Sequence, residues 1–478
     1  MKKIIFFFIA IFITLYSKAQ FVKTTAVAGL SYPVAFDWMP NGNYLITLKG
    51  GSAFPAANAK IQVYSPTGLF LNTFYNLTDS TDADFERGLL GVCVDPNFSV
   101  NHYVYAYYNH NFNGDERIRV IRFTETANIG TNPTMILDID VSNSIAGNHV
   151  AGNVHMHASE PDMLYVVIGD VAVSSNAQLL TNPYGKVLRI HTDGTIPATN
   201  PFYDDGNPLT LQDDRIWSYG HRNPFDFCFS PVNDGLYVAE NGLNTWDEAN
   251  LILPGHNYGW NSCEGNFLIN SSSSPCTNPA FTPPIATWHS PVPSVTGIMV
   301  YSGTVFPQLD NHLLVADNNV GNIHDCVLGN APAYDTVTSN TVLLNVMAGA
   351  GLTTIRQGTD GCIYAMRGGY TTAGAIYRLC PPGLDVNEIS TPVQYASVIP
   401  NPSSSGADLY ITLSSAEHVT IDMNDITGRK ISTVFSGNLA AKNHVLHFET
   451  SGLSNGNYLL NIRLSNQVKV LKIVVIKE

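Results

Sequence analysis

Three histidines stand close together at positions 149, 155 and 157. Imidazole titrates near neutral pH and suits a general base that takes a hydroxyl proton. His149 lies in a glycine-containing turn, Asn148-His149-Val150-Ala151-Gly152. His155 and His157 alternate, so on a strand they would share one face with Asn153. Such a pair could begin a metal site, but no third ligand is evident, and a structural role is the plainer expectation. Arg222 could meet a carboxylate bidentately, or could simply pair between repeats. An acidic loop runs from Glu240 to Tyr258 and includes Asp247 and Glu248. On its own chemistry this loop reads as a tight, Asp-rich turn. The chain has 7 Cys but no CxxC and no zinc spacing. Cys263 and Cys276 flank a polar loop and are the expected disulfide; Cys326 with Cys362 or Cys380 is a further expectation. Cys93 and Cys228 read as small buried hydrophobes.

The elements that must position these groups are strands. Of 478 residues only 13% are charged, with 45% hydrophobic, 38 Gly and 27 Pro, which suits a turn-rich all-β protein. Lys+Arg 24 against Asp+Glu 38 gives a net charge of -14, which argues against nucleic acid or an anionic membrane as partner. One phrase recurs: a turn with Asp, Asn or Gly, then an aromatic residue or Leu, then a β-branched run. It begins at Asn41, Asn101, Asp162, Asp234, Asp310 and Asp360. Each copy reads as a hairpin turn feeding an inner strand of one sheet. A single sheet cannot bury both faces, whereas sheets stacked around an axis can. A six-bladed β-propeller over residues 20–382 is therefore expected. After Pro381-Pro382-Gly383 the repetition stops, 383–398 reads as a linker, and short alternating strands predict a small β-sandwich over 399–478. Lys2 and Lys3, the apolar run Ile4 to Leu15 and Ser17-Lys18-Ala19 form a signal peptide over 1–19, with a mature start at Gln20. No transmembrane segment is expected in the mature chain.

Several segments resemble the glucose/sorbosone dehydrogenase family, six-bladed propellers that use pyrroloquinoline quinone (PQQ) and calcium. They are Arg87-Gly88-Leu89-Leu90-Gly91, Asp95-Pro96-Asn97-Phe98, Ile168-Gly169-Asp170, Gly185-Lys186-Val187-Leu188-Arg189-Ile190 and Asn200-Pro201-Phe202. Ile216-Trp217-Ser218-Tyr219-Gly220-His221-Arg222-Asn223-Pro224 is the most specific. Glu240-Asn241-Gly242, Asp247-Glu248 and Gly255-His256-Asn257-Tyr258-Gly259-Trp260 follow it. The resemblance covers roughly Val27 to Leu379. It implies oxidation of a sugar hydroxyl with hydride transfer to the quinone. His149 would be the catalytic base, and Arg222, Asn223, Glu86 and Asn148 would contact PQQ. The Gly242 and Leu243 carbonyls would hold the cofactor-bridging calcium, with Glu248 and Tyr258 at a second calcium site. The C-terminal stretch resembles a type IX secretion sorting domain through Pro400-Asn401-Pro402, Asp425-Ile426-Thr427-Gly428-Arg429 and Gly456-Asn457-Tyr458. This implies export through the periplasm, to the cell surface or medium, by the secretion machinery.

The chain departs from the family in its cations. A family Lys is replaced by Asn319 and two Arg by Gly351 and Thr353; Arg356 is near but out of register. Glu86 is an acid where an amide is usual. Two readings follow: a PQQ-dependent sugar dehydrogenase, which His149, Arg222 and the acidic loop favour, and a non-catalytic cell-surface propeller binding glycan or protein, which the missing cations favour.

Overall fold

The computed structural model describes residues 21–141, 147–150, 152–207, 209–382, 393–413, 415–464 and 467–477. The expected signal peptide and most of the expected linker lie outside the described residues. Two compact units divide at Pro382 and Gly383.

Among the described residues the first unit contains six four-stranded sheets and one two-stranded ribbon. The innermost strands are Pro33–Trp38, Leu89–Val94, Val154–His157, Pro224–Phe229, Val295–Val300 and Leu352–Gln357. Each packs against the next, and Leu352–Gln357 packs back against Pro33–Trp38, so the sheets form a ring. This is the expected β-propeller. The repeated phrase feeds the second strand of each sheet rather than the innermost: Tyr44–Gly50, Tyr103–Phe112, Glu160–Ile168, Leu236–Glu240, His312–Asp317 and Ile363–Arg367. Left-handed residues such as Gly42, Asp234, Asn311 and Gly361 make those turns.

Ring closure comes from the two ends of the unit. Val22–Leu30 pairs antiparallel with Gly374–Cys380 and completes the last sheet from outside. Phe36, Ile46 and Leu48 of the first sheet bury against Met366 and Ile376 of the last. Apolar faces of neighbouring sheets pair in this way around the ring, each buried aliphatic or aromatic side chain contributing roughly 1.5–3 kcal/mol.

Cys263–Cys276 is a disulfide, as expected. Cys362, just before the strand Ile363–Arg367, bonds Cys380 at the end of the neighbouring strand, and Cys326 is a buried free thiol. The pairing of Cys326 with either is thus corrected: it sits among Tyr237, Val295 and Leu313 in another core, where burial pushes its thiol up to about 12. Cys93 and Cys228 are also free.

The second unit has a three-stranded sheet (Val393–Ile399, Gly406–Leu413, Asn443–Glu449) and a four-stranded sheet (Lys430–Leu439, Glu417–Asp425, Gly456–Leu464, Gln467–Val475). Leu409, Ile411, Ile421, Leu460 and Ile473 form its core. Val393–Ile399 is a strand of this sheet, so structure begins inside the stretch read as linker. Among the described residues no helix is long and apolar enough to cross a membrane.

Candidate active site

Connections at one end of the ring converge on a cavity of about 560 Å³. Glu86 precedes the innermost strand of the second sheet, and Asn148 and His149 precede that of the third. Arg222 and Asn223 lie on the crossover into the fourth sheet, and Gly242 and Leu243 on the turn inside it. All seven residues line the cavity, so residues far apart in sequence meet there. Glu248 and Tyr258 do not line it; both are buried.

His149 is fixed at both ends. Its backbone N–H donates to Glu86 Oε2 at 2.6 Å, and its Nδ1 lies 2.7 Å from Asp170 Oδ1. A carboxylate on Nδ1 selects the tautomer with the lone pair on Nε2. Asp170 is 1% exposed, and its Oδ2 accepts the Trp260 indole N–H at 2.8 Å. Gly169 makes the arrangement possible: a Cβ there would lie 2.1 Å from the His149 carbonyl oxygen.

The Arg222 guanidinium lies 5.5 Å from the Trp260 ring centroid. It donates from Nη1 to the carbonyls of Asn241, at 3.0 Å, and Gly242. Burial lowers its pKa, although nearby Asp170 and Glu86 oppose the shift. Beneath it, Ser218 Oγ lies 2.9 Å from His221 Nε2, and His221 Nδ1 lies 2.8 Å from Glu240 Oε2. These are the parts of a nucleophilic triad, but Ser218 and His221 are 0% exposed. Glu240 Oε1 accepts the Arg222 backbone N–H, so the constellation positions Arg222.

The acidic loop is built around Glu264. Its Oε1 accepts the backbone N–H groups of Leu243, Asn244, Thr245 and Trp246 at 2.6–3.1 Å. Only glycine fits at 242, where a Cβ would lie 1.7 Å from the Trp246 carbonyl oxygen. Asp247 Oδ1 accepts the Gly242 N–H at 3.0 Å, and burial pushes its carboxyl up to about 6. Burial, then the Glu240 charge, hold Glu248 well above the usual carboxylate range. Its oxygens accept from Asn250 and Gly265. The Tyr258 hydroxyl is committed to Leu251 and Leu253, and its ring stacks on His221 at 4.8 Å.

The other histidines are structural. His155 Nε2 lies 3.0 Å from Asp226 and 2.9 Å from Arg356, while His157 Nε2 faces Asp234 at 3.2 Å. Arg356 Nη1 donates to Asp226 at 2.9 Å, so this cation serves the innermost strands and does not line the cavity. Asn319 bonds Val292 and Ser294 and does not line it either, whereas Gly351 and Thr353 do. Among the described lining residues the lysines and arginines are Lys49 and Arg222. Four buried polar atoms of the lining have no hydrogen-bond partner: Asn148 Oδ1, Asn223 Oδ1, Arg222 Nε and Thr353 Oγ1. Unpaired buried polar atoms are costly, and a polar ligand in the cavity would satisfy these four.

Asp170 and Trp260 were missing from the expected site. Both sit inside quoted motifs, Ile168-Gly169-Asp170 and Gly255 to Trp260, and motif membership was the available signal.

Residues 30–378 match the profile described as Glucose / Sorbosone dehydrogenase, and residues 397–477 the Secretion system C-terminal sorting domain. The aldose sugar dehydrogenase of Escherichia coli K12 is 24% identical over 360 residues, covering 74% of this chain and 91% of that one. Quinoprotein glucose dehydrogenase B of Acinetobacter calcoaceticus is 28% identical over 270 residues, 52% of this chain and 53% of that protein. The PQQ-bound aldose sugar dehydrogenase structure from Streptomyces coelicolor superposes with a TM-score of 0.60 at 22% identity, covering 76% and 99%. With a ring of sheets, a His–Asp pair at its mouth and a profile match across nearly all of that ring, the chain belongs to the glucose/sorbosone dehydrogenase family.

Proposed function

We propose that this protein is an exported sugar dehydrogenase that binds PQQ in the cavity and oxidises a sugar hydroxyl. The observation that carries the reading is His149: held by Asp170 on one nitrogen, it lines a cavity whose buried polar atoms lack partners.

The residues fit a polar, anionic cofactor. Arg222 supplies charge, and Asn148, Asn223 and Thr353 supply unsatisfied polar atoms. On the side where the family resemblance implies cations, Gly351 and Thr353 offer no charge, so hydrogen bonds take the place of ion pairs there. When bound, PQQ would supply the hydride acceptor. His149 Nε2 takes the hydroxyl proton, and Asp170 orients the imidazole and stabilises the imidazolium. Glu86 fixes the His149 backbone.

Calcium belongs to the proposal at two places. Glu248 is a buried carboxylate beside Glu240, and Glu264 Oε2 is buried without a partner. A hard cation suits such oxygens. Tyr258 stands alongside, with its hydroxyl already engaged. The Gly242 and Leu243 carbonyls would hold the other calcium, although Arg222 already places positive charge on Gly242.

The C-terminal sorting domain points to export, and the proposed location is the cell surface or medium, reached through the type IX machinery. The neutral lining at Gly351 and Thr353 favours a second reading, a non-catalytic propeller binding glycan or protein. Purified protein mixed with PQQ and Ca²⁺, then assayed for dye reduction with a panel of aldoses, separates the two. Sugar-dependent reduction supports the dehydrogenase, and its absence with every aldose supports the binding module.

A further inference from the structure

One buried ammonium takes no part in the proposed chemistry. Lys186 is 0% exposed and opens the strand Lys186–His191, inside the Gly185 to Ile190 motif. It does not line the cavity. Its Nζ donates to the carbonyls of Tyr184 at 2.6 Å, Asn176 at 3.0 Å and Ala177 at 3.1 Å. An ammonium has three N–H donors, so the three carbonyls match it completely. Burial opposes the charge, and the Asp213 and Asp170 carboxylates support it. Burying an ammonium is costly unless its hydrogen bonds are met, and here all three are.

Asn176 and Ala177 belong to a short 3₁₀ helix, Ser174–Gln178. That helix holds the proposed site at three points. Asn176 Nδ2 donates to the Asp170 carbonyl at 3.2 Å. Gln178 Nε2 donates to the Trp260 carbonyl. The Ala177 carbonyl also accepts the Gly220 N–H at 3.0 Å, two residues before Arg222.

Between Asp170 and this helix the backbone is strained. Val171 has φ 52 and Ala172 has φ 62, two consecutive left-handed residues without a glycine. A β-branched side chain rarely enters that region. Asp170 Oδ1 accepts the Ala172 N–H at 2.9 Å, and the same oxygen faces His149 Nδ1. Strain of this kind persists where the surroundings over-determine it, and it clusters at functional sites. Relaxation of the turn would carry Asp170 away from both His149 and Trp260.

We propose that Lys186 is a positioning residue for the proton-transfer pair: its ammonium clamps the turn after Asp170 from the buried side and so sets the Asp170 carboxylate against His149 and Trp260. This assignment rests on reading His149 and Asp170 as that pair. It places part of the machinery outside the cavity, in a residue that touches neither substrate nor cofactor.

The test reads the Trp260 indole N–H, the proton donated to Asp170, by ¹H–¹⁵N NMR of the full chain without PQQ. Wild type is compared with Lys186→Met, which removes all three donors. Asn176→Ala is the second variant; it keeps Lys186 and its carbonyl partners and cuts only the tie to the Asp170 carbonyl. In both variants the Trp260 indole signal should shift and its hydrogen exchange should speed up by about tenfold or more. The indoles of Trp38, Trp217, Trp246 and Trp288 should stay as in wild type. With PQQ loaded, kcat should fall by roughly tenfold to a hundredfold at unchanged KM. If Lys186→Met does not fold, Asn176→Ala decides. An unmoved Trp260 signal overturns the clamp. An equal shift of all five indoles also overturns it, because Lys186 would then support the fold and not the pair. A shifted Trp260 signal with unchanged kcat overturns the positioning role and removes His149 and Asp170 as the pair. A shifted signal in a protein whose wild type shows no PQQ-dependent turnover keeps the clamp on Asp170 and removes the dehydrogenase.

Discussion

His149 Nδ1 stands 2.7 Å from Asp170 Oδ1, and the other oxygen of that carboxylate holds the Trp260 indole on which Arg222 rests. The proposed base and the proposed cofactor cation are therefore set by one buried aspartate. Asp170→Asn keeps the size of the side chain but removes the charge that stabilises an imidazolium. Sugar oxidation should fall by roughly 10²–10⁴, while PQQ affinity changes little. Stopped-flow reduction of the bound quinone, with a parallel PQQ titration, checks both halves.

Arg222→Ala should act on binding first. Its guanidinium is the proposed cofactor cation, and removing it would leave a ligand carboxylate unpaired, weakening PQQ by about tenfold to a hundredfold. Fluorescence titration with PQQ measures this. Unaltered affinity would place the cofactor elsewhere.

The innermost strands are cross-linked by Arg356 and Asp226. Burial alone would raise the Asp226 pKa, but Arg356 and His155 outweigh it and hold the carboxyl below its ordinary value. Its contribution to stability is present at neutral pH and lost as pH falls through that depressed value. Arg356→Met takes the guanidinium from a fully buried carboxylate, leaves Asp226 to Asn153, His155 and the Phe227 N–H, and should cost about 3–5 kcal/mol in urea unfolding.

Lys49 makes a prediction at the other end of the pH scale. Burial pushes its ammonium from 10.5 down to about 8, against the pull of Asp82, Asp84 and Glu86. Between those two values the unfolded chain holds the extra proton, so the contribution of Lys49 to stability rises with pH through that window. Melting temperatures of wild type and Lys49→Met, compared from about pH 7.5 to pH 10.5, should show the rise in wild type alone.

The strands and the repeat were legible because alternation and turn chemistry are local. Contacts over long sequence separations were not. Closure of the last sheet by Val22–Leu30 pairs residues at the two ends of the unit, and nothing local marks it. The same holds for Arg356, whose partner Asp226 is 130 residues away. Cys326 was placed in the wrong pair because spacing says nothing about which core a strand faces. Residues resembling the family's motifs were legible as a set, and seven of them do line one cavity. Which side chain orients which was hidden: Asp170 and Trp260 acquire their roles by meeting across 90 residues.

His149 is the proposed base of a PQQ-dependent sugar oxidation. The most direct measurement is a single-turnover reaction of PQQ-loaded protein with excess aldose, following the quinone absorbance, for wild type and His149→Ala at matched PQQ occupancy. Stoichiometric quinone reduction is expected in wild type and a rate roughly 10²–10⁴ lower in His149→Ala, with PQQ still bound. Equal reduction rates in the two proteins, or a wild type that takes up no PQQ, would contradict it.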